Sequence, residues 1–106
     1  MICGIGVDNG YKIIMRNFRT RYAELDIICR KGDKIIFTEV KTRVGDRLGK
    51  PYEAITNRKI HNLMRACQCF LLQNPYKDCK LSIDAISIIL NDDDSIREFK
   101  HFENIT

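Results

Sequence analysis

No apolar run in the 106-residue sequence approaches the length of a membrane-spanning helix. The apolar stretches are short, such as residues 86–90 with Ser87 inside, whereas a helix needs about 20 apolar residues to cross the hydrocarbon core. The first residues also lack a basic segment followed by a long apolar one, which is the pattern of a secretory signal. We therefore expect a cytoplasmic protein with no membrane partner.

Histidine is scarce, and neither of the two histidines is spaced from the cysteines as in a zinc-binding motif. The five cysteines are an odd and scattered set, in which Cys67 and Cys69 are the only close pair. This pattern is typical of free thiols in a reducing compartment and argues against a disulfide framework. The net charge is also small, at +4. It permits a polyanionic partner without requiring one.

The length and composition of the chain indicate one globular domain. The sequence is 44% hydrophobic and 30% charged, which is ordinary for a folded protein and argues against a disordered or low-complexity chain. A chain of about 100 residues has room for one modest core and for no second domain. We therefore expect a single domain over residues 1–106.

Three strands are predicted in the first half of the sequence. β-Branched and long side chains fill residues 11–17, and further apolar runs fill residues 23–30 and 34–41. Gly32 lies between the last two runs, which favours a hairpin turn there. Both arms of this hairpin are apolar on both faces except near their outer ends, so we expect a sheet that is covered on both sides.

A long helix and two further strands are predicted in the second half. After a polar loop over residues 42–50, apolar side chains recur at intervals of three and four from Ile60 to Leu71. Residues 81–90 and 95–102 have strand patterns. The helix is long enough for a crossover that lays the fourth strand parallel to the third. We expect an α/β fold, in which an antiparallel three-strand meander, a crossover helix and a parallel fourth strand build a mixed four- to five-stranded sheet.

Asp26 and the tripeptide Glu39-Val40-Lys41 are the first candidates for chemistry. Side chains alternate along a strand, so Glu39 and Lys41 point to one face. Two carboxylates a few ångströms apart repel each other, and a hard cation such as Mg²⁺ relieves that repulsion. A bound metal can activate water, and a neighbouring lysine can orient the water or stabilise developing charge. A plain surface hairpin with cross-strand ion pairs is the other interpretation, and spacing alone favours it.

The turn between the second and third strands decides whether Asp26 joins that face. A two-residue turn at residues 32–33 sets Asp26 directly opposite Glu39. A turn at residues 31–32 sets Glu24 opposite Glu39 instead, with Asp26 still on the same face. A three-residue loop without a bulge sends Asp26 to the other face. Two of the three simple turns therefore bring the carboxylates together.

Several stretches of the sequence resemble a known protein family. Asp26, twelve intervening residues and Glu39-Val40-Lys41 resemble the motif of the PD-(D/E)xK nuclease superfamily, with a spacing similar to that of archaeal Holliday-junction resolvases. More closely, the chain resembles the YraN family of small bacterial proteins, which are described as predicted endonucleases. The stretches that carry this resemblance are residues 10–14, 16–17, 24–28, 37–43 and 49–54, together with Lys59, Ala66 and Asp84.

The resemblance implies a restriction-endonuclease-like fold and a Mg²⁺- or Mn²⁺-dependent endonuclease that acts on DNA, with branched DNA as one candidate substrate. It implies catalytic roles for Asp26, Glu39 and Lys41. It implies metal binding by Asp26, Glu39 and Val40, and Glu24 is a candidate for an additional acidic residue. Junction resolvases work as dimers, so the resemblance also implies a homodimer.

The N-terminus departs from the resembled family. That family usually begins with a helix carrying Gly-Glu-x-x-Ala, whose glutamate resembles an additional acidic ligand, and residues 1–9 are too short and too glycine-broken to form it. We expect its absence to leave apolar side chains of one sheet face exposed and to favour self-association. The departure also keeps an alternative function open, namely a catalytically impaired nuclease-fold domain that binds nucleic acid or a protein partner.

A basic loop follows directly from the candidate site. Residues 42–50 contain Arg43, Arg47 and Lys50, which could bind the phosphates of a nucleic acid. A simple solvated loop is an equally good interpretation of the sequence. If nucleic acid binds there, with further help from the helix, its affinity should fall steeply with salt and depend little on base sequence.

Overall fold

The computed structural model describes residues 10–45, 56–74, 76 and 78–106, and these residues form one sheet and one helix. The elements are β1 (Lys12–Arg19), β2 (Glu24–Lys31), β3 (Lys34–Val44), α1 (Asn57–Gln73), β4 (Lys80–Leu90) and β5 (Ile96–Phe102). The strand order is β1-β2-β3-β4-β5, and only β3 and β4 are parallel among the neighbouring pairs. The predicted mixed sheet with its parallel fourth strand is confirmed, and it is consistent with an α/β nuclease-like fold.

The β2–β3 hairpin has the two-residue turn at Gly32 and Asp33. Lys31 pairs with Lys34, and the ladder continues as far as Ile27 opposite Thr38. Gly32 has a φ of +62°, whereas Asp33 is not among the residues with positive φ. A positive φ at the first turn residue alone is typical of a type II′ turn, where glycine is favoured. The first of the three predicted registers is therefore the observed one.

β3 extends beyond its predicted end. The sequence predicts a loop from residue 42, but residues 42–44 continue the strand and pair with residues 88–90 of β4. Parallel pairing with a long apolar strand satisfies the backbone groups of β3 whatever the polarity of its side chains. Gly45 closes the pairing with a hydrogen bond from its N–H to the Leu90 carbonyl at 3.0 Å. Arg43 consequently lies in a strand rather than in a loop.

α1 is capped at both ends by local side-chain and backbone contacts. The Thr56 hydroxyl accepts a hydrogen bond from the Lys59 N–H, as an N-cap residue does. At the other end the Asn74 N–H donates to the Phe70 carbonyl at 2.8 Å. The residue before a proline is disfavoured in a helix, so Asn74 is also the expected end. Among the described residues, no helix is long and apolar enough to span a membrane.

Phe70 connects α1 to the sheet. Its fully buried ring makes edge contacts with Phe18 and Phe37, at centroid distances of 5.5 and 5.8 Å, and stacks on Tyr76 at 6.2 Å. Such aromatic pairs contribute about 0.5–1.5 kcal/mol each beyond the area that they bury. The buried cluster around this ring contains Leu25, Ile28, Ile35, Phe37, Leu63, Ala66, Cys67, Phe70 and Ile83.

β4 is buried on both of its faces. Residues 82–89 are each no more than 8% exposed, which agrees with the prediction of a sheet covered on both sides. The expectation of self-association through an apolar face stays a prediction. Residues 1–9, from which that expectation came, lie outside the described residues. Within the described ranges, the exposed large apolar side chains are Met15, Val44, Met64, Leu72, Leu81, Ile96 and Phe99.

A buried carboxylate ties the C-terminal residues to β4. Asp84 is 2% exposed, and its Oδ1 accepts hydrogen bonds from the Ser82 hydroxyl at 2.6 Å and from the Asn104 N–H at 3.0 Å. Its Oδ2 lies 2.8 Å from Nε2 of His101, which pairs with Ile86 across β4 and β5. His101 is exposed, and the sheet register also brings its ring to this carboxylate. Both oxygens of Asp84 are thus satisfied, as a buried charge requires.

We expect Asp84→Asn to lower the free energy of unfolding by about 1–3 kcal/mol, because hydrogen bonds to a charged acceptor are stronger than those to a neutral amide. Equilibrium unfolding in urea measures the change. Asp92→Asn is the matched control, since Asp92 lies exposed in the β4–β5 turn and should change stability by no more than about 0.5 kcal/mol. Equal stabilities of the two variants would contradict this prediction.

Candidate active site

A cleft of about 490 Å³ opens between β2, β3 and the first turns of α1. The paired register ends with Ile27 opposite Thr38, and its continuation puts Asp26 opposite Glu39, where both residues line the cleft. The two carboxylates therefore share one face of the hairpin, as the two-residue turn predicts. The residues that line the cleft are Tyr22, Ala23, Glu24, Asp26, Glu39, Val40, Lys41, Thr56, Arg58, Lys59 and Asn62.

Glu39 is the centre of the charged contacts in this cleft. Its Oε1 lies 3.0 Å from the Lys59 ammonium and 3.3 Å from the Lys41 ammonium. Its Oε2 is buried, with no hydrogen-bond partner among the described residues. A buried oxygen without a donor is costly in an isolated protein. Such an oxygen is also free to coordinate a cation or to accept a hydrogen bond from a ligand.

Asp26 is held beside the backbone of Val40. Its Oδ2 accepts a hydrogen bond from the Val40 N–H at 2.6 Å, which fixes the half-buried carboxylate at the floor of the cleft. Burial raises the pKa of Asp26, and the charges of Glu24 and Glu39 raise it further. The Val40 N–H and the Lys41 ammonium act in the opposite direction. This carboxylate is therefore one that an additional cation would stabilise in its ionised form.

Lys41 and Lys59 both contact Glu39. The Glu39 carboxylate raises the pKa of Lys41, whereas burial lowers the pKa of Lys59. Two cations on one carboxylate repel each other, so one of them is held less strongly. One lysine is enough to neutralise the charge of Glu39. The other lysine is therefore able to bind a second anion such as a phosphate.

The donor set fits a hard divalent cation that takes few protein ligands. No three His, Cys, Asp or Glu side chains are grouped to hold an ion in the part of the chain that the structure describes. Glu24 therefore does not complete a set with Asp26 and Glu39, and its carboxylate pairs with Arg19 at 3.0 Å. Mg²⁺ is commonly held by one or two carboxylates and keeps several waters. Asp26, the free Glu39 oxygen and the backbone of Val40 meet this requirement, and metal binding stays a prediction.

The residues predicted to bind nucleic acid are only partly described. Arg43 lies in β3 opposite Ile89, two residues beyond Lys41. It is not among the described residues that line the cleft. Arg47 and Lys50 lie outside the described residues. A role of these three side chains in binding phosphates stays a prediction.

α1 brings residues to the cleft that the sequence pattern did not assign to it. Lys59, Arg58 and Asn62 all line the cleft, although each one reads in the sequence as part of a solvated helix face. Tyr22 joins them from the turn before β2. The sequence does show that these polar residues share one stripe of the helix, because Arg58, Asn62 and Arg65 are four and three residues apart.

Comparison with known proteins identifies the family of this chain. Residues 4–88 match the family described as Uncharacterised protein family UPF0102. A UPF0102 protein of Syntrophomonas wolfei is 51% identical over 83 residues, which cover 78% of this chain and 72% of the relative. A UPF0102 protein of Clostridium tetani is 39% identical over 97 residues (89% and 80%), and one of Chlorobium phaeobacteroides is 39% identical over 102 residues (94% and 80%). The chain therefore belongs to the UPF0102 family, which is the YraN family that its motifs resemble.

Proposed function

We propose that this chain is a metal-dependent endonuclease that hydrolyses DNA phosphodiester bonds in the cleft of Asp26, Glu39 and Lys41. The observation that carries the proposal is the set of contacts at Glu39. A buried carboxylate with one free oxygen lies beside a second carboxylate and is bonded to two lysines. The carboxylates suit a divalent cation, and the lysines suit the phosphate that such a cation would help to cleave.

Each group of cleft residues has a separate role in the proposed hydrolysis. In this reaction a water oxygen bonds to phosphorus, the P–O bond to the leaving oxygen breaks, and that oxygen takes up a proton. Asp26, Glu39 and the backbone of Val40 would hold Mg²⁺ or Mn²⁺, which would supply Lewis-acid activation of water and neutralise charge. Lys41 orients the water or stabilises the developing negative charge. Lys59 contacts a phosphate oxygen from the α1 side of the cleft.

One observation favours a second function, a catalytically impaired nuclease-fold domain that binds nucleic acid or a protein partner. The described residues group two carboxylates rather than three, and Oε1 of Glu39 is already bonded to two lysines. A weak metal site would leave the basic cleft able to bind a phosphate backbone without cutting it.

The expected setting of this activity is a cytoplasmic homodimer bound to DNA. The whole chain acts as one nuclease-like domain in the cytoplasm, and its partner is DNA, including branched DNA. Two copies form a twofold homodimer, in which each copy contributes one cleft. Paired clefts on one side of such a dimer would allow two nicks in a branched substrate.

Incubation of the chain with linear, flapped and four-way DNA tests the proposal. We expect cleavage with Mg²⁺ or Mn²⁺ and none with EDTA, because the two carboxylates need a cation to act on the phosphate. A Glu39→Gln variant, purified in parallel, controls for contaminating nucleases. Cleavage that persists in EDTA would contradict the metal requirement. Binding without cleavage under all conditions would select the second function.

A further inference from the structure

A group of positively charged side chains lies at the mouth of the cleft. These side chains have no role in the proposed hydrolysis. Arg58, Asn62 and Arg65 form one stripe along α1. Arg58 and Asn62 line the cleft itself, and Arg65 continues the stripe away from it. Arg21 joins from the turn between β1 and β2. We call Arg21, Arg58 and Arg65 the rim arginines.

Tyr22 holds two of the rim arginines in place. The guanidinium carbons of Arg21 and Arg65 lie 5.0 and 5.3 Å from the centre of its ring, within the range of cation–π attraction. Arg21 also donates a hydrogen bond to the Tyr22 hydroxyl at 2.8 Å, and Arg65 donates one to Nε2 of His61 at 3.2 Å. Each guanidinium has five N–H donors, so most of them remain available to a ligand.

The rim arginines carry exposed positive charge. All three are exposed, and no ion pair in the described part of the chain joins any of them to a carboxylate. Glu24, the acidic residue nearest to them along β2, is paired with Arg19. Fixed, exposed guanidinium groups of this kind recognise planar anions, and phosphates above all.

The spacing of the rim arginines sets the length of backbone that they can contact. Arg58 and Arg65 are seven residues apart, which is about 10 Å along the axis of an α-helix. One strand of a DNA duplex advances about 3.4 Å per nucleotide. A stripe laid along the duplex axis therefore extends over about three nucleotides from the cleft.

We propose that the rim arginines bind the phosphates of about three nucleotides on one side of the cleft, with Tyr22 as the scaffold that positions Arg21 and Arg65. This inference rests on the proposed function, since it takes the strand in the cleft to be nucleic acid. It assigns backbone binding to α1 and the β1–β2 turn, in addition to the loop that the sequence predicts. The contacts are to phosphates, so binding depends on charge rather than on base sequence.

Fluorescence anisotropy of a labelled DNA duplex in EDTA tests this inference without any cleavage. The double variant Arg21→Ala/Arg65→Ala should bind about tenfold more weakly, and the slope of log affinity against log salt should fall by about two. Double Ala substitution of Lys12 and Arg30 is the control. It removes the same charge at the far end of the sheet, where these two residues pair, and should leave affinity and slope unchanged.

The outcomes separate this inference from the proposed function. Weaker binding and a smaller slope in the rim variant support the inference, even if the wild-type chain never cleaves DNA. Wild-type affinity and slope in the rim variant would overturn it, even if the wild-type chain does cleave. Competition by poly-glutamate as strong as that by DNA would also overturn it, because the rim would then fit an acidic protein. Circular dichroism of both variants checks that they are folded.

Discussion

Lys41→Ala is expected to reduce the rate of DNA cleavage about 100- to 1,000-fold while leaving DNA affinity nearly unchanged. The Lys41 ammonium lies 3.3 Å from Glu39 at the floor of the cleft, and its side chain is 31% exposed, so it faces both the carboxylates and an entering phosphate. Removing one group that stabilises charge in the transition state typically costs 10²–10³ in rate, or about 2.7–4 kcal/mol. Lys59 still neutralises Glu39 in this variant, so the fold should be retained.

Lys34→Ala is the matched control for this substitution. Lys34 lies on the same strand as Lys41, at the hairpin end, where it pairs with Lys31 and Lys80. Seven residues of strand separate the two lysines, or about 23 Å, and both variants lose one positive charge. Single-turnover cleavage at saturating protein isolates the chemical step from binding. A wild-type rate in the Lys41 variant would contradict the assignment and move the role to Lys59.

The hairpin that carries the site was predictable because its determinants are local. Strand alternation fixes Glu39 and Lys41 on one face, and a glycine between two apolar runs marks the turn. The sequence left three registers open, since it does not specify how many residues the turn contains. The positive φ of Gly32 and the Lys31–Lys34 pair select one of them. Local signals therefore predicted the hairpin that carries Asp26 and Glu39, and only the type of its turn was left open.

The ion pair between Lys59 and Glu39 was not predictable from local sequence signals. The two residues are 20 positions apart, and a lysine on the polar side of an amphipathic helix looks the same whether it faces water or a cleft. Only the packing of α1 on the sheet decides which part of that polar side meets β3. The pairing of His101 with Asp84 has the same origin, because it depends on the register between β4 and β5.

Phe70→Ala is expected to lower the free energy of unfolding by about 3–5 kcal/mol, which is the usual cost of truncating a buried phenylalanine. The ring is fully buried and contacts Phe18 on β1, Phe37 on β3 and Tyr76 after the helix. Alanine would remove all three ring contacts and leave a cavity between α1 and the sheet. Folded domains are stable by only about 5–15 kcal/mol, so the variant should be close to the limit of folding.

Leu72→Ala is the control for this truncation, because Leu72 lies two residues away on the same helix and is 85% exposed. Its free energy of unfolding in urea should stay within about 0.5 kcal/mol of wild type. Phe70→Leu keeps most of the buried volume and should fall between the two. Because α1 also carries Lys59, a helix loosened at Phe70 should hold that lysine less firmly against Glu39. Equal stabilities of the Phe70→Ala and Leu72→Ala variants would show that α1 is not anchored to the sheet through this ring.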